Sequence, residues 1–219
     1  MINFNKIETI VFDCDGVILD SNDIKTQAFY EIGRQFSEEA GLKLAKYHVD
    51  NGGESRYKKF NYLFENILKK NASVEEVGRL SEIFAKITID NVLNSTIADG
   101  IFELRNMTIN KKWLVVSGSD QEELRGIFKK RRLNSLFDGG IFGSPDTKDT
   151  ILKREIDSGN ISKPSLFIGD SITDYKAAKN AHMSFIFLTK WSGVSNWMDF
   201  LDKESLVMDS LADLITLLD

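Results

Sequence analysis

Two aspartates, Asp13 and Asp15, follow an apolar run near the start of the chain, within the stretch IVFDCDGVILDS (Ile10 to Ser21). Residues two apart in an extended chain point the same way, so both carboxylates can approach one space. Close carboxylates repel each other unless one is protonated or a cation lies between them. The spacing indicates chemistry around a cation, although Asp-x-Asp-Gly is equally typical of a chain reversal.

Three later stretches place further reactive groups after apolar runs or at helix starts. Asp170 and Asp174 occur in LFIGDSITDYKAA, Ser117 and Gly118 end WLVVSG, and Lys148 lies in GSPDTKDTIL. Carboxylates bind hard cations, whereas hydroxyl groups, backbone amides at a strand-to-helix turn and a lysine bind oxyanions. Together these groups suit a magnesium-bound phosphoryl group.

An alternation of strands and helices positions these groups. Short apolar runs predict strands at Ile7–Phe12, Trp113–Val116, Gly140–Phe142, Ser165–Ile168 and Ser184–Leu188. Helices are predicted at Asp120–Arg132, Thr147–Ile156, Ile172–Ala181 and Ser210–Leu218. Continuous apolar strands are typical of a parallel sheet with helices on both faces, in which the ligand crevice lies beyond the carboxyl ends of the strands. The pattern therefore predicts an α/β fold.

A helical block interrupts this alternation after the first strand. Helical spacing predicts helices at Asp23–Glu39, Ser55–Lys70 and Ser73–Val92, with no convincing strand between them. We interpret residues 21–93 as an inserted α-helical cap domain, and residues 1–20 and 94–219 as the α/β core domain. Gly52 and Gly53 allow a tight turn that faces the crevice.

The composition excludes several classes of function. The chain has 219 residues, 42% of them hydrophobic and 28% charged, with a net charge of -5, which argues against general binding of nucleic acid or membrane surfaces. The single cysteine, Cys14, excludes a disulfide framework, and we expect it to be a buried apolar residue. His48 and His182 are too few for a multi-histidine metal site. With no secretory signal or apolar run of bilayer length, the cytoplasm is the expected compartment.

The motifs resemble those of the haloacid dehalogenase-like superfamily, in the capped phosphatase branch that includes phosphoglycolate phosphatases and β-phosphoglucomutases. The resemblance covers nearly the whole chain and rests on DCDGVILDS (Asp13 to Ser21), VVSGSD (Val115 to Asp120), Lys148 and GDSITDYKAA (Gly169 to Ala178). It implies a Rossmann-like parallel-sheet core with an inserted helical cap.

The resemblance also implies roles for single residues in catalysis. Asp13 is the expected nucleophile, which forms an aspartyl-phosphate. Asp15 is expected to protonate the leaving oxygen and then to take a proton from the attacking water. Ser117, Gly118 and Lys148 are expected to hold the phosphoryl oxygens.

A magnesium site follows from the same resemblance. Its expected ligands are Asp13, the backbone carbonyl of Asp15, and Asp170. Asp174 is expected to bind through water or to orient the cluster. The alternative for Asp174 is a surface position in the first turn of a helix.

Two placements differ from the pattern of the family or go beyond it. Asp149 follows Lys148 where the family often has proline, so Lys153 and Lys163 remain competitors for the lysine position. In the predicted cap, we hypothesise that Arg56 contacts a distal polar or anionic part of the substrate. The alternative for Arg56 is a solvated helix face.

The sequence thus predicts a Mg²⁺-dependent phosphatase of a small phosphomonoester, such as a sugar phosphate or phosphoglycolate, acting as a monomer or homodimer. Asp15 argues against the dehalogenase branch, whose members lack this second aspartate. A phosphosugar mutase of the β-phosphoglucomutase type and a non-catalytic ligand-binding or regulatory protein remain alternatives. Phosphonate hydrolysis is a further alternative, and it requires Lys58 or Lys59 to enter the site and form a Schiff base.

Overall fold

A central parallel sheet organises the fold. The computed structural model describes residues 2–218, and within this range it contains one six-stranded sheet. The strands are β1 (Thr9–Phe12), β2 (Lys112–Asp120), β3 (Gly140–Ser144), β4 (Ser165–Gly169), β5 (Ser184–Leu188) and β6 (Leu206–Met208). All neighbouring strands are parallel, in the order β3-β2-β1-β4-β5-β6. The α/β fold class predicted from the sequence is confirmed, with β1 between β2 and β4.

Helices cover both faces of the sheet and form a separate block after β1. In chain order they are α1 (Asn22–Arg34), α2 (Glu38–Asp50), α3 (Arg56–Tyr62), α4 (Val74–Asn94), α5 (Ile101–Met107), α6 (Gln121–Lys130), α7 (Lys148–Asp157), α8 (Ile172–Asn180) and α9 (Leu211–Leu218). Across residues 2–218, each helix is too short or too polar to cross a membrane.

The sheet is buried on both sides because alternate side chains of its central strand enter different cores. Ile10 and Phe12 of β1 pack in one cluster with apolar side chains of α5, α6 and α9. Val11 packs in the other cluster with side chains of α7 and α8. This two-sided burial explains why the strand is a continuous apolar run. Cys14 is also buried, as expected, and burial raises the pKa of its thiol well above the usual value.

Helices α1 to α4 share a third apolar cluster of their own. The sequence predicted one helix over Asp23–Glu39, which is wrong, because the chain breaks between α1 and α2. Ser37 starts α2 by accepting a hydrogen bond from the backbone amide of Ala40. The two helices pack so closely that a Cβ on Gly33 would lie 2.8 Å from the carbonyl oxygen of Ala40.

The other differences lie at the ends of elements and in short elements. The sequence did not predict α5 or β6, and β2 extends well beyond the predicted Trp113–Val116. The predicted start of α4 is confirmed by a capping box between Ser73 and Glu76. Short elements carry too few apolar positions for a clear periodicity.

Candidate active site

The carboxyl ends of the two central strands bring the sequence motifs together. Asp13 follows β1, and its backbone amide donates to the carbonyl of Ile168 in the neighbouring strand β4, at 2.9 Å. Asp170 follows β4 directly, and Asp174 lies in the first turn of α8. Lys148 is the first residue of α7, whose start is capped by Thr147. Four groups that are distant in sequence therefore meet at one edge of the sheet.

Three carboxylates form a buried cluster at this edge. One oxygen from each of Asp13, Asp170 and Asp174 lies within 4.8 Å of the others. Burial, reinforced by the charge of Asp174, raises the pKa of Asp13 to about 7. Burial, with the charges of Asp174 and Asp13, raises the pKa of Asp170 well above its usual value. Such a cluster needs a positive charge between its members.

Lys148 supplies part of that charge. Its Nζ lies 2.9 Å from Asp13 Oδ1 and 2.5 Å from Asp174 Oδ1, with the lysine only 3% exposed. Burial alone would lower the pKa of Lys148, but the two carboxylates raise it above its usual value. Lys153, a competitor from the sequence, instead pairs with Asp157 on the surface. The geometry thus favours Lys148 for the predicted lysine position.

Asp174 is anchored through its second oxygen. Oδ2 accepts hydrogen bonds from the hydroxyl and the backbone amide of Ser171, which completes a capping box at the start of α8. Asp174 is fully buried, so its alternative assignment to the surface is wrong. Its two oxygens hold Lys148 and the helix start in one fixed arrangement.

The cluster fits a hard divalent cation. Lys148 and Asp13 Oδ1 form an ion pair, but their geometry is too bent for a hydrogen bond. Among the described residues, this buried oxygen therefore has no hydrogen-bond donor. Asp170 Oδ2 accepts a hydrogen bond from Asn22 Nδ2 at 2.7 Å, which fixes the carboxylate. The donor set consists of carboxylate oxygens, the ligands that Mg²⁺ prefers. Asp13 and Asp170 can therefore hold the ion.

Asp15 has partners of its own. Its carboxylate accepts hydrogen bonds from Ser21 Oγ at 2.5 Å, Lys25 Nζ at 2.5 Å and Ser119 Oγ at 2.8 Å. Burial would raise the pKa of Asp15, but the charge of Lys25 and these hydrogen bonds lower it to about 2. The sequence did not predict Lys25 or Ser119. Lys25 follows Ser21 by four residues, so one helical turn of spacing was the available signal.

Ser117 and Gly118 differ in their access to the cavity, although they are adjacent in sequence. Ser117 is fully buried, and its Oγ accepts the backbone amide of Ser119 at 3.1 Å. Gly118 reaches the surface of the cavity, where a Cβ would lie 2.1 Å from the carbonyl oxygen of Gly53. The loop between α2 and α3 therefore lies directly against the end of β2, as the pair of glycines in that loop indicated.

This contact borders a partly open cavity of about 290 Å³ above the carboxylates. Asp13, Asp15 and Asp170 line it from the sheet, whereas Phe29 and His48 line it from the helices. Charged side chains dominate its lining, and a few apolar side chains such as Phe29 complete it.

Arg56 lies on the cavity wall and is largely buried, so its alternative as a solvated helix face is wrong. Its Nη2 lies 2.8 Å from Glu123 Oε2 on α6, and its Nε has no partner among the described residues. Of the two neighbouring lysines, Lys58 is largely exposed and Lys59 is buried in the cavity wall. Contact between Arg56 and substrate stays a prediction.

Comparisons with known proteins agree with this geometry. Residues 7–182 match the family model described as haloacid dehalogenase-like hydrolase. The chain therefore belongs to the haloacid dehalogenase-like hydrolase family. No curated protein matches the sequence at a significant level.

Solved structures share the whole architecture at low sequence identity. A β-phosphoglucomutase from Clostridium difficile superposes with a TM-score of 0.74 at 20% identity, covering 95% of this chain and 93% of that chain. A protein from Lactobacillus delbrueckii assigned as a phosphoglycolate phosphatase gives 0.72 at 19% identity, covering 97% and 98%. A family IA hydrolase from Entamoeba histolytica gives 0.73 at 17% identity, covering 94% and 95%. These likenesses establish the fold.

Proposed function

We propose that the protein is a Mg²⁺-dependent phosphatase of a small phosphomonoester. The observation that carries this proposal is the buried cluster of Asp13, Asp170 and Asp174 with Lys148, at the floor of a cavity beyond the strand ends. A nucleophilic carboxylate, a cation site and a lysine in one enclosed space match the needs of phosphoryl transfer.

Asp13 and Asp170 are the side chains that would hold Mg²⁺, with the backbone carbonyl of Asp15 as a further ligand. When bound, the ion offsets the negative charge of the carboxylates and of the phosphoryl group. Lys148 keeps its contact with Asp13 and turns its charge toward the same phosphoryl oxygens. The amide of Gly118 would contribute an oxyanion contact at the end of β2, and Ser117, buried beneath the cavity surface, would have to turn its hydroxyl toward the phosphoryl group to add a second.

Asp13 attacks phosphorus, and the bond from phosphorus to the leaving oxygen breaks. Asp15 gives a proton to that oxygen, and it then takes one from the water that hydrolyses the aspartyl-phosphate. The contact with Lys25 keeps Asp15 ionised, which suits the second step. For the first step Asp15 must leave Lys25, so that it can carry a proton.

Residues 21–93 act as a cap over a core formed by residues 1–20 and 94–219. The loop at Gly53 and the helices above the cavity would limit the access of bulk water while the phosphoenzyme exists. A cavity of about 290 Å³ limits the substrate to a small phosphorylated metabolite. Arg56 contributes to the end of the cavity remote from Asp13.

A phosphosugar mutase is the second candidate, favoured by the structural likeness to a β-phosphoglucomutase. A mutase returns the phosphoryl group to a sugar hydroxyl, whereas a phosphatase transfers it to water. The fate of the phosphoryl group separates the two reactions.

The test is phosphate release from a broad panel of phosphomonoesters with Mg²⁺, comparing wild type with Asp13→Asn and with the surface control Asp157→Asn. We expect release that needs Mg²⁺, disappears in Asp13→Asn and persists in Asp157→Asn. Isomerised sugar phosphate without net phosphate release would establish the mutase. If no compound releases phosphate or is isomerised, a non-catalytic binding or regulatory function would be the remaining alternative.

A further inference from the structure

The cations of the cavity wall differ in their counter-charges. Lys25 pairs with Asp15 at 2.5 Å, and Arg56 pairs with Glu123 at 2.8 Å. Lys59 lines the same cavity, yet across residues 2–218 it has no carboxylate within ion-pair distance. It is therefore the wall cation whose charge the protein itself leaves without a partner.

Lys59 is held in place by a neutral group. Its Nζ contacts His48 Nδ1 at 2.7 Å and lies 5.3 Å from the ring centre of Phe29. Burial lowers the pKa of His48 well below its usual value, so the imidazole is neutral. When Lys59 is charged, its ammonium donates to Nδ1, and the ring proton then lies on Nε2 as a second donor.

A charged lysine in this position is costly. Lys59 is only 2% exposed, and burial lowers its pKa to about 7. Of the nearest acids, Glu54 accepts a hydrogen bond from Tyr47 and Asp15 is held by Lys25. A buried ammonium without a counter-ion is stabilised strongly by an anion that enters with it.

We propose that Lys59, with His48, binds a carboxylate of the substrate, so that the substrate is a small phosphorylated carboxylic acid rather than a neutral sugar phosphate. This proposal rests on the proposed phosphatase function. The phosphoryl group binds at Asp13, and the carboxylate binds at the opposite, helical wall of the cavity.

The charges of the wall favour a carboxylate over a second phosphate. One ammonium and one neutral imidazole donor match a single negative charge. Glu54, Asp120 and Glu123 also line the cavity and repel a dianion more strongly than a monoanion. The cavity volume of about 290 Å³ suits an acid of a few carbon atoms.

Two matched substrate pairs test the proposal. 2-Phosphoglycolate is compared with 2-hydroxyethyl phosphate, and 3-phosphoglycerate with glycerol 3-phosphate, because each pair differs by a carboxylate in place of a hydroxymethyl group. For at least one pair, we expect wild type to favour the acid by about 10- to 100-fold in kcat/KM, the range for a hydrogen bond to a charged group. That preference falls toward 1 in Lys59→Met and keeps its wild-type value in Lys58→Met, whose lysine is exposed.

Each outcome separates this proposal from the phosphatase proposal. Equal kcat/KM within both pairs, or a preference for ethylene glycol bisphosphate over both acids, overturns the carboxylate site while phosphatase activity stands. If Lys59→Met does not fold, the kcat/KM ratio of acid to control in wild type decides whether the site binds a carboxylate. If no phosphomonoester is hydrolysed, calorimetry on Asp13→Asn with the same pairs decides it. Tighter binding of the acids would support the site, and equal or undetectable binding of acids and controls would overturn it.

Discussion

Asp13 and Asp15 are two residues apart, yet their surroundings move their pKa values in opposite directions. Burial and a neighbouring carboxylate raise the pKa of Asp13 to about 7, whereas Lys25 and two hydroxyl groups lower the pKa of Asp15 to about 2. Paired groups whose pKa values diverge are typical of a division between catalytic roles. Lys148 offsets part of the charge of Asp13, and Lys25 offsets that of Asp15.

Replacement of Lys25 tests this division at the residue scale. In Lys25→Met, Asp15 loses its ion pair, its pKa rises, and it is a poorer base toward the attacking water. We expect kcat to fall by roughly 10- to 100-fold, within the range of general acid–base effects. We also expect the aspartyl-phosphate to accumulate in acid-quenched samples, and the acidic limb of the pH–rate profile to move to higher pH.

The control is Lys43→Met, which removes an exposed ion pair with Glu39 on α2. It should keep the wild-type kcat and pH profile. An unchanged acidic limb and no accumulation of phosphoenzyme in Lys25→Met would contradict the assigned role of the pair.

The residues at strand ends were predictable from the sequence, whereas the burial of lysines on helix faces was not. Asp13, Asp170 and Lys148 were predictable because the carboxyl ends of parallel strands converge at one edge of a sheet. Lys25 was missed because an isolated lysine is by default exposed, and Lys59 was considered only under the alternative of phosphonate hydrolysis. Their burial depends on how helices α1 and α3 lie over the sheet, which no local pattern specifies.

At the scale of elements, the loop between α2 and α3 meets the end of β2 without intervening side chains. In Gly118→Ala, the added Cβ would lie 2.1 Å from the carbonyl oxygen of Gly53, so the loop must move away. Displacements near 1 Å can cost about 100-fold in rate. We expect kcat/KM for the best phosphomonoester to fall at least about 10-fold in Gly118→Ala.

Gly126→Ala on α6 is the matched control, because its Cβ meets open space. It should retain activity and gain roughly 0.5–1 kcal/mol of stability from its helical position. Wild-type kinetics in Gly118→Ala would show that the closed loop is dispensable.

The ion pair of Arg56 and Glu123 joins α3 to α6, so we expect its removal to lower the stability of the fold. In Glu123→Gln, the largely buried guanidinium loses its main counter-charge, because Asp120 lies 3.8 Å away. We expect the free energy of unfolding in urea to fall by about 1–3 kcal/mol. Glu122→Gln removes only an exposed pair with Arg125 and should change it by less than about 0.5 kcal/mol. Equal effects of the two variants on the free energy of unfolding would contradict the role of Glu123 as the main counter-charge of Arg56.

At the scale of the whole molecule, the order of strands β1 to β5 was predictable because each contains a short apolar run, whereas β6 and α5 were not predicted. The break between α1 and α2 was harder to predict, since Gly33 and Ser37 act through a close helix crossing that only the folded chain creates. The cavity was equally hard to predict from the sequence, because its size depends on the distance between the helices and the sheet.

The buried carboxylates also link the stability of the whole fold to pH and Mg²⁺. The pKa of Asp13 is about 7 when folded against 3.8 as its reference value, so between these values the folded state binds more protons than the unfolded state. Stability without metal therefore falls as pH rises from about 4 to 7. In Asp13→Asn this component disappears, and the curve of unfolding free energy against pH is flatter than that of wild type.

At the proposed site, Mg²⁺ would bind only the folded chain and would compete with protons, so it should oppose this loss. At about 100 times its dissociation constant it adds about 2.7 kcal/mol to the free energy of unfolding. We expect that gain near pH 7.5, much less of it at pH 5, and none after chelation or in Asp170→Asn. Asp157→Asn, on the surface, should respond as wild type does. A pH-independent gain, or one that survives in Asp170→Asn, would mean that the ion binds away from the carboxylate cluster.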